Sequence, residues 1–261
     1  MIFETALQQW RQHCPWREQR QVEQDLILHA MVQQIYADPY LADRLAFRGG
    51  TCLNKLYLKQ PFRYSEDLDF VQINAEQIGS VVDRLKSVLA DIFTDKPNWT
   101  ANQGSFKLVY SFIPEDSPYK QKVKIEINTR EHFAIKGYTK KGLALNSSWR
   151  SGKADVTTFT IEELLATKLR ALYQRRKGRD LFDLWISQDL KPDYHEVVTI
   201  FSAYMKNEGN KISQEQFVEN MTHKMQMPQF KNDITPLIRS GTEYDPMKAF
   251  AFVEQNLLSK L

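Results

Sequence analysis

Residues 47–70 constrain the fold more than any other part of this sequence. A short apolar segment that reads as a strand ends in two glycines and a threonine, and a helical apolar pattern follows them. Asp67 and Asp69 then open a second strand pattern, where side chains two residues apart point to the same face. The stretch therefore predicts strand, tight turn, helix and strand, with small residues at one strand end and carboxylates at the other.

Gly49, Gly50 and Thr51 predict a phosphate-binding turn. Glycines between a strand and a helix let the backbone approach an anion closely, and they tolerate a positive φ. The first amides of the following helix carry partial positive charge, and Thr51 adds a hydroxyl donor. An ordinary tight turn capped by a threonine would also explain these three residues.

Asp67 and Asp69 predict a metal site, because two adjacent carboxylates repel each other and a nearby cation keeps both ionised. Mg²⁺ prefers carboxylate and phosphate oxygens. The candidate for a third ligand is Glu126, which shares the polar face of a later strand pattern with Lys124 and Asn128. With three carboxylates, two metal ions about 3.5–4 Å apart could clamp the attacking and leaving oxygens. The alternatives are solvated carboxylates at a strand start and an exposed charge ladder. Combined with the turn, the carboxylates predict a nucleoside triphosphate site.

A second cluster of charges lies in the helical half of the chain. Lys168 and Arg175 are seven residues apart and share one face of a predicted helix. Asp180 and Asp183 lie on the next helix, where they could orient these side chains or Arg179 by ion pairing. Surface salt bridges on a solvated basic helix are the alternative. Both helices are rich in leucine, however, and charges near a buried seam need partners or a phosphate.

The composition limits the class of protein. The chain has 261 residues, 42% hydrophobic and 26% charged, which fits one large or two modest globular domains. A net charge of +3 does not by itself indicate nucleic-acid binding. We expect no signal peptide and no membrane span. Cys14 and Cys52 lack zinc-type spacing and make a poor disulfide framework, so we expect a reducing, cytoplasmic location.

The periodicity predicts an α+β fold, with a mixed α/β domain over 1–155 and an all-helical domain over 156–261. A short first helix is expected to end near Pro15, and a capping pattern at Thr160 to open the helical half. In the first domain we predict helices over 21–37, 51–59 and 75–94, strands over 45–47, 68–73, 99–103, 105–113 and 121–129, and a connector that could include an edge strand over 149–159. In the second we predict helices over 161–174, 179–187, 194–206, 214–225, 232–238 and 245–258.

Four motifs in this order resemble the AbiEii/AbiGii nucleotidyltransferase toxins of the DNA polymerase β-like superfamily. The resemblance covers about Leu41 to Trp185. The motifs are Arg48-Gly49-Gly50-Thr51, Arg63-Tyr64-Ser65-Glu66-Asp67-Leu68-Asp69-Phe70, Lys168-Leu169-Arg170-Ala171-Leu172 and Arg179-Asp180-Leu181-Phe182-Asp183-Leu184.

The resemblance implies a nucleotidyltransferase core with a mixed sheet and flanking helices, and a helical domain that closes the active-site cleft. It implies Mg²⁺- or Mn²⁺-dependent transfer of NMP from an NTP to an acceptor hydroxyl, with a tRNA or other RNA 3′ end as the expected acceptor. Relatives act as toxins of toxin–antitoxin and phage-defence systems, so a separately encoded antitoxin is an expected partner.

Family roles carry over residue by residue. The expected catalytic residues are Asp67, Asp69, Lys168 and Asp183. The expected phosphate-binding residues are Arg48, Gly49, Gly50, Thr51, Ser65, Lys168, Arg175 and Arg179. The expected metal ligands are Asp67, Asp69 and Glu126, although the superfamily often has Asp where this chain has Glu126. Lys168 is expected to face Asp67 across the cleft.

Two alternatives remain open at this point. The acceptor could be a small molecule or a protein side chain instead of RNA. The chain could also be a non-catalytic nucleotide- or RNA-binding regulatory partner, but a pure binder has no need of the paired carboxylates Asp67 and Asp69.

Overall fold

The computed structural model describes residues 2–14 and 16–261, so Pro15, near which the first helix is predicted to end, lies outside the described residues. The chain divides into two compact units, Met1–Phe159 and Thr160–Leu261. The first unit contains a seven-stranded sheet with helices, and the second is built from helices. The predicted α+β fold class is confirmed.

The sheet of the first unit is mixed, and its two central strands are the ones that flank the Gly-Gly-Thr turn. Its order is β3-β4-β5-β2-β1-β7-β6. β2 pairs antiparallel with β1 and parallel with β5, and β1 pairs parallel with β7. The strands are β1 (Leu45–Arg48), β2 (Asp67–Gln72), β3 (Asn98–Asn102), β4 (Ser105–Phe112), β5 (Gln121–Asn128), β6 (Tyr138–Asn146) and β7 (Ser151–Phe159).

Alternation along the central strands separates the core from the polar face. Leu68 and Phe70 of β2 are buried, and so are Val123, Ile125 and Ile127 of β5, while the residues between them are partly exposed. The helices of this unit are α1 (Glu4–Trp10), α2 (Gln19–Ala37), α3 (Pro39–Ala42), α4 (Gly49–Cys52), which continues as a π-helical turn (Leu53–Tyr57), and α5 (Gly79–Val88).

Helix α2 is the main helix packed on this sheet. The Tyr36 hydroxyl lies 3.0 Å from the carbonyl oxygen of Leu45 in β1 and 3.1 Å from that of Thr157 in β7. The side chain is buried, so these hydrogen bonds hold the end of α2 on β1, which leads to the Gly-Gly-Thr turn, and on its neighbour β7.

The second unit begins at the predicted capping residue. Thr160 Oγ1 accepts the N–H of Glu163 at 3.3 Å, and Tyr204 donates its buried hydroxyl to Glu163 Oε1 at 2.7 Å. The helices are α6 (Ile161–Gln174), α7 (Gly178–Ile186), α8 (Tyr194–Asn207), α9 (Gln214–Met225), α10 (Pro228–Asn232) and α11 (Pro246–Asn256), with 3₁₀ turns at Ser187–Leu190 and Leu258–Lys260. Among the described residues of the chain, no helix combines the length and apolar character needed to cross a membrane.

Four element predictions were wrong in ways that have physical reasons. The helix expected over 75–94 is only Gly79–Val88. It begins late because Gln72 donates to the Glu76 carbonyl and Arg44 pairs with the Glu76 carboxylate, and these contacts hold the residues around Glu76 as a loop. The helix expected over 232–238 ends at Asn232, since Pro236 disfavours helix at the residue before it.

The other two corrections concern the strands at one side of the sheet. Residues 151–159 form a full strand that is inside the sheet, with Thr158 opposite Phe47, and not at its edge. The edge is β6, which was not predicted at all. Only Leu143 and Leu145 of its nine residues are buried, so its sequence carries little alternation.

Gly178 generates a stability prediction. A Cβ at this position would overlap the backbone carbonyl oxygen of Phe230, whereas a Cβ at Gly79, also the first residue of a helix, would meet nothing. We expect Gly178→Ala to lower the free energy of unfolding by about 1–3 kcal/mol through overpacking. We expect Gly79→Ala to leave it unchanged or raise it by up to about 1 kcal/mol. Urea unfolding followed by circular dichroism measures both, and equal effects would contradict this packing.

Candidate active site

The Gly-Gly-Thr turn and the carboxylates of β2 are in direct contact. β1 and β2 pair antiparallel with Arg48 opposite Asp69, so the turn after β1 lies beside the start of β2. Gly49 has φ +83°, and a Cβ on it would overlap Asp69 Oδ2. Only glycine satisfies both conditions without strain, and the Asp69 carboxylate therefore packs against the bare backbone of the turn.

Two hydroxyls tie the turn to β2. Thr51 Oγ1 lies 2.5 Å from the carbonyl oxygen of Asp67 and 2.6 Å from Ser65 Oγ. Since a carbonyl can only accept, Thr51 donates to Asp67, and Ser65 donates to Thr51. The structure thus brings Thr51, Ser65 and Asp67 together, with both hydroxyl protons used in holding the turn. Their expected contacts with phosphate stay predictions.

Asp67 and Glu126 share a lysine. β2 and β5 pair in parallel, with Asp67 opposite Lys124 and Asp69 opposite Glu126. Lys124 Nζ lies 2.9 Å from Asp67 Oδ2 and 3.4 Å from Glu126 Oε2, and Lys107 Nζ lies 3.3 Å from Glu126 Oε1. These side chains are about one-third exposed, so the cluster lies at the surface of the sheet and is open to solvent.

The pKa of Lys124 reports this negative surrounding. Burial alone would lower the pKa, but the hydrogen bond and charge of Asp67, followed by the charges of Glu126 and Asp69, raise it above the ordinary lysine value. Lys124 therefore stays protonated at neutral pH and acts as a fixed cation beside the three carboxylates.

The residues fit a divalent cation at Asp67 and Asp69, which are adjacent on one strand face and offer the oxygen donors that Mg²⁺ prefers. Within residues 2–14 and 16–261, no set of three Asp, Glu, His or Cys side chains is arranged to hold a metal ion. Glu126 as a third ligand stays a prediction, and in this structure its oxygens are held by Lys107 and Lys124.

The sequence reasoning gave no role in this site to three charged residues near it. Lys107 and Lys124 had a signal, because each lies between buried or partly buried apolar residues of its strand, and Lys124 shares the polar face of β5 with Glu126. Glu131 had none: it lies in a loop, and its Oε2 is 3.1 Å from Arg48 Nη1. Arg48, expected to bind phosphate, is thus engaged in a partly buried ion pair, and its phosphate contact stays a prediction.

The second unit contains its own charge cluster, as the spacing of its residues suggested. Lys168 Nζ lies 2.7 Å from Asp183 Oδ2 and 3.4 Å from Asp180 Oδ1. Arg175 forms a two-pronged pair with Asp180, with Nε–Oδ2 at 2.6 Å and Nη2–Oδ1 at 2.7 Å. Both carboxylates are fully buried and Lys168 nearly so, whereas the Arg175 side chain is half exposed.

Charge compensation explains how these carboxylates are buried. Burial raises the pKa of Asp180, but the charge of Lys168 and the hydrogen bonds of Arg175 outweigh it and hold the pKa below the ordinary value. The backbone N–H of Arg179 donates to Asp233 Oδ2 at 3.2 Å. The phosphate roles of Lys168, Arg175 and Arg179, the catalytic role of Asp183, and the position of Lys168 opposite Asp67 stay predictions.

Comparisons with known proteins bear on this arrangement. The family model described as nucleotidyl transferase AbiEii toxin, type IV toxin–antitoxin system, matches residues 31–254. MenT4, a nucleotidyltransferase toxin from Mycobacterium tuberculosis H37Rv, superposes with a TM-score of 0.63 at 16% identity, covering 98% of this chain and 90% of MenT4. JHP933 from Helicobacter pylori gives a TM-score of 0.54 at 18% identity, with 94% of each chain covered. No curated protein matches the sequence significantly.

The two solved structures have the same fold at low sequence identity. The family model goes further, because it covers most of the chain, including all four motifs around the turn, the paired carboxylates and the Lys168–Asp183 cluster. The chain therefore belongs to the AbiEii nucleotidyltransferase toxin family of type IV toxin–antitoxin systems, and it is a nucleotidyltransferase that uses a nucleoside triphosphate.

Proposed function

We propose that this enzyme transfers NMP from an NTP to the 3′ hydroxyl of an RNA, with tRNA as the expected acceptor, in a reaction that depends on Mg²⁺ or Mn²⁺. It acts in the cytoplasm, where both substrates occur, and a separately encoded antitoxin counteracts it. RNA is favoured over a small-molecule or protein acceptor by the resemblance of the four motifs.

The observation that carries the proposal is the contact between the Gly49 backbone and the Asp69 carboxylate. It places the glycine backbone of the turn beside two carboxylates on one strand face. A triphosphate needs donors for its oxygens and a cation beside them, and this arrangement offers both.

The proposed reaction is an in-line displacement at the α-phosphorus. The acceptor hydroxyl oxygen forms a bond to this phosphorus, and the bond from the phosphorus to the oxygen that bridges to the β-phosphate breaks. Pyrophosphate leaves with that electron pair, and the hydroxyl proton passes to solvent. The chain contributes mainly by positioning the phosphates and by neutralising their charge.

Asp67 and Asp69 would hold the divalent cation, and the cation would supply charge neutralisation on the phosphate oxygens. Gly49 and Gly50 would place their backbone N–H groups toward the triphosphate. Lys124 would hold Asp67 in position by the 2.9 Å contact that it makes with its carboxylate. Lys168 is expected from the family resemblance to contact the triphosphate.

Asp67→Asn tests the proposed activity. The substitution keeps the size of the side chain but removes its charge, so we expect transfer of labelled NMP to total RNA to fall by about 10²–10³-fold. Asp83→Asn is the matched control, since Asp83 is a highly exposed carboxylate of the same unit that pairs with Lys86 at 3.6 Å. Transfer that persists in Asp67→Asn would overturn the assignment, and label found in protein instead of RNA would change the acceptor.

Lys124→Gln tests the cation site without an activity assay. Removing this fixed cation leaves Asp67, Asp69 and Glu126 more negative, so we expect Mn²⁺ to bind several-fold more tightly, as measured by electron paramagnetic resonance of free Mn²⁺. Lys122→Gln is the control, because Lys122 lies on the same strand two residues away and is exposed. Equal Mn²⁺ affinity in the two variants would show that the cation does not bind beside Lys124.

A further inference from the structure

A pocket in the first unit lies next to the Gly-Gly-Thr turn. It contains about 790 Å³ of empty space, including the open solvent at its mouth. Its walls come from α1 and the residues after it, α2, the helical segment after the turn, the loop at 58–65, and the end of β6. Thr51 and Ser65 both line it, so the pocket reaches the hydroxyl pair that ties the turn to β2.

The lining side chains carry an excess of positive charge. Lys55, Lys59 and Arg63 line the pocket with one carboxylate, Asp25, whose Oδ1 is 3.1 Å from Lys55 Nζ. His29 adds no charge at neutral pH, because burial and then the charge of Lys55 lower its pKa to about 3. The pocket therefore favours an anion.

Aromatic rings form another part of the lining. Trp10, His13 and Trp16 all border the pocket. The rings of Trp10 and His13 are stacked at 5.1 Å, and the His13 side chain is exposed. Aromatic rings beside cations are the surroundings in which proteins bind the bases and phosphates of single-stranded nucleic acids.

Two buried polar atoms of the lining lack a partner. Trp16 is 4% exposed and Asn54 is 9% exposed. Neither Trp16 Nε1 nor Asn54 Oδ1 has a hydrogen-bond partner within the described part of the chain. Leaving such a donor and acceptor unsatisfied costs about 1–3 kcal/mol each. Neither atom is accessible to solvent in this structure, so a ligand that presents one acceptor and one donor would satisfy them only after the Trp16 and Asn54 side chains shift toward the pocket.

We infer that this pocket binds one nucleotide unit of the acceptor RNA near its 3′ end. A nucleotide combines the three properties that the lining selects: a phosphate for the exposed Lys59 and the positive charge of the lining, a planar base for the rings, and base edges that donate and accept hydrogen bonds. The inference rests on the proposed function for the identity of the acceptor. It adds a specific place for that acceptor beside Thr51 and Ser65, separate from the carboxylates of β2.

The test measures binding of a 5′-fluorescent single-stranded RNA with a free 3′ hydroxyl by anisotropy, together with the KM values for RNA and NTP. Trp16→Phe removes the unpartnered N–H but keeps an aromatic ring. Lys59→Ala removes a cation at the surface, where truncation leaves the packing of the core unchanged. Lys140→Ala, an exposed lysine on β6 outside the pocket, is the matched control.

We expect Trp16→Phe and Lys59→Ala each to raise the Kd and the KM for RNA about 5- to 10-fold, with the KM for NTP unchanged and Lys140→Ala like the wild type. Unchanged RNA affinity in Lys59→Ala overturns the inference even if Trp16→Phe fails to fold. A raised KM for NTP instead would assign the pocket to the donor nucleotide. If free AMP binds as tightly as the RNA, the pocket is a mononucleotide site. Either of these two results, a raised KM for NTP or tight binding of AMP, would contradict the inference.

The same measurements separate this inference from the proposed function. If the wild type binds RNA, the two pocket variants lose that binding, and no NMP is transferred to RNA, the proposed acceptor chemistry fails and the pocket assignment stands. If transfer to RNA occurs and is equally efficient in all four proteins, the proposed function stands and the pocket assignment fails.

Discussion

The contact between the Gly49 backbone and the Asp69 carboxylate is the constraint on which the site depends. It exists only because β1 and β2 pair with Arg48 opposite Asp69. A one-residue slip of β2 would turn both carboxylates into the core and Leu68 and Phe70 out of it, so burial of those side chains fixes the register. Tyr36 holds α2 on β1 and β7, and Thr51 holds the turn on β2. Packing and hydrogen bonds thus position the carboxylates that are expected to bind the metal ion.

Charge pairing within each unit is the second physical theme. Lys107 and Lys124 compensate the carboxylates of the sheet, and Lys168 and Arg175 compensate those of α7. A triphosphate or cation that binds at the sheet therefore exchanges partners with lysines that are already engaged. Its net binding free energy is the difference between the contacts it gains and the ion pairs it breaks. Replacing those lysines with uncharged residues should therefore change its affinity.

The sequence predicted the turn and the paired carboxylates beside it better than it predicted the edges of the fold. The glycines of the turn and the spacing of Asp67 and Asp69 are local signals, and helices α6 and α9 have the bounds that periodicity and capping predict. Strand β6 could not be found, because an edge strand with two buried residues has no clear alternation. The pairing of Glu126 with lysines from two strands and of Arg48 with Glu131 depends on strand order, which the sequence alone does not specify.

The most direct test of the central claim is the NTP affinity of Gly49→Ala, measured by isothermal titration with a non-hydrolysable NTP. Gly137→Ala is the control, because Gly137 also has a positive φ (+75°) but a Cβ there would meet nothing. Both variants carry backbone strain, and only Gly49→Ala displaces the Asp69 carboxylate. We predict that Gly49→Ala loses NTP binding while Gly137→Ala binds as the wild type does. Wild-type affinity in Gly49→Ala would contradict the account.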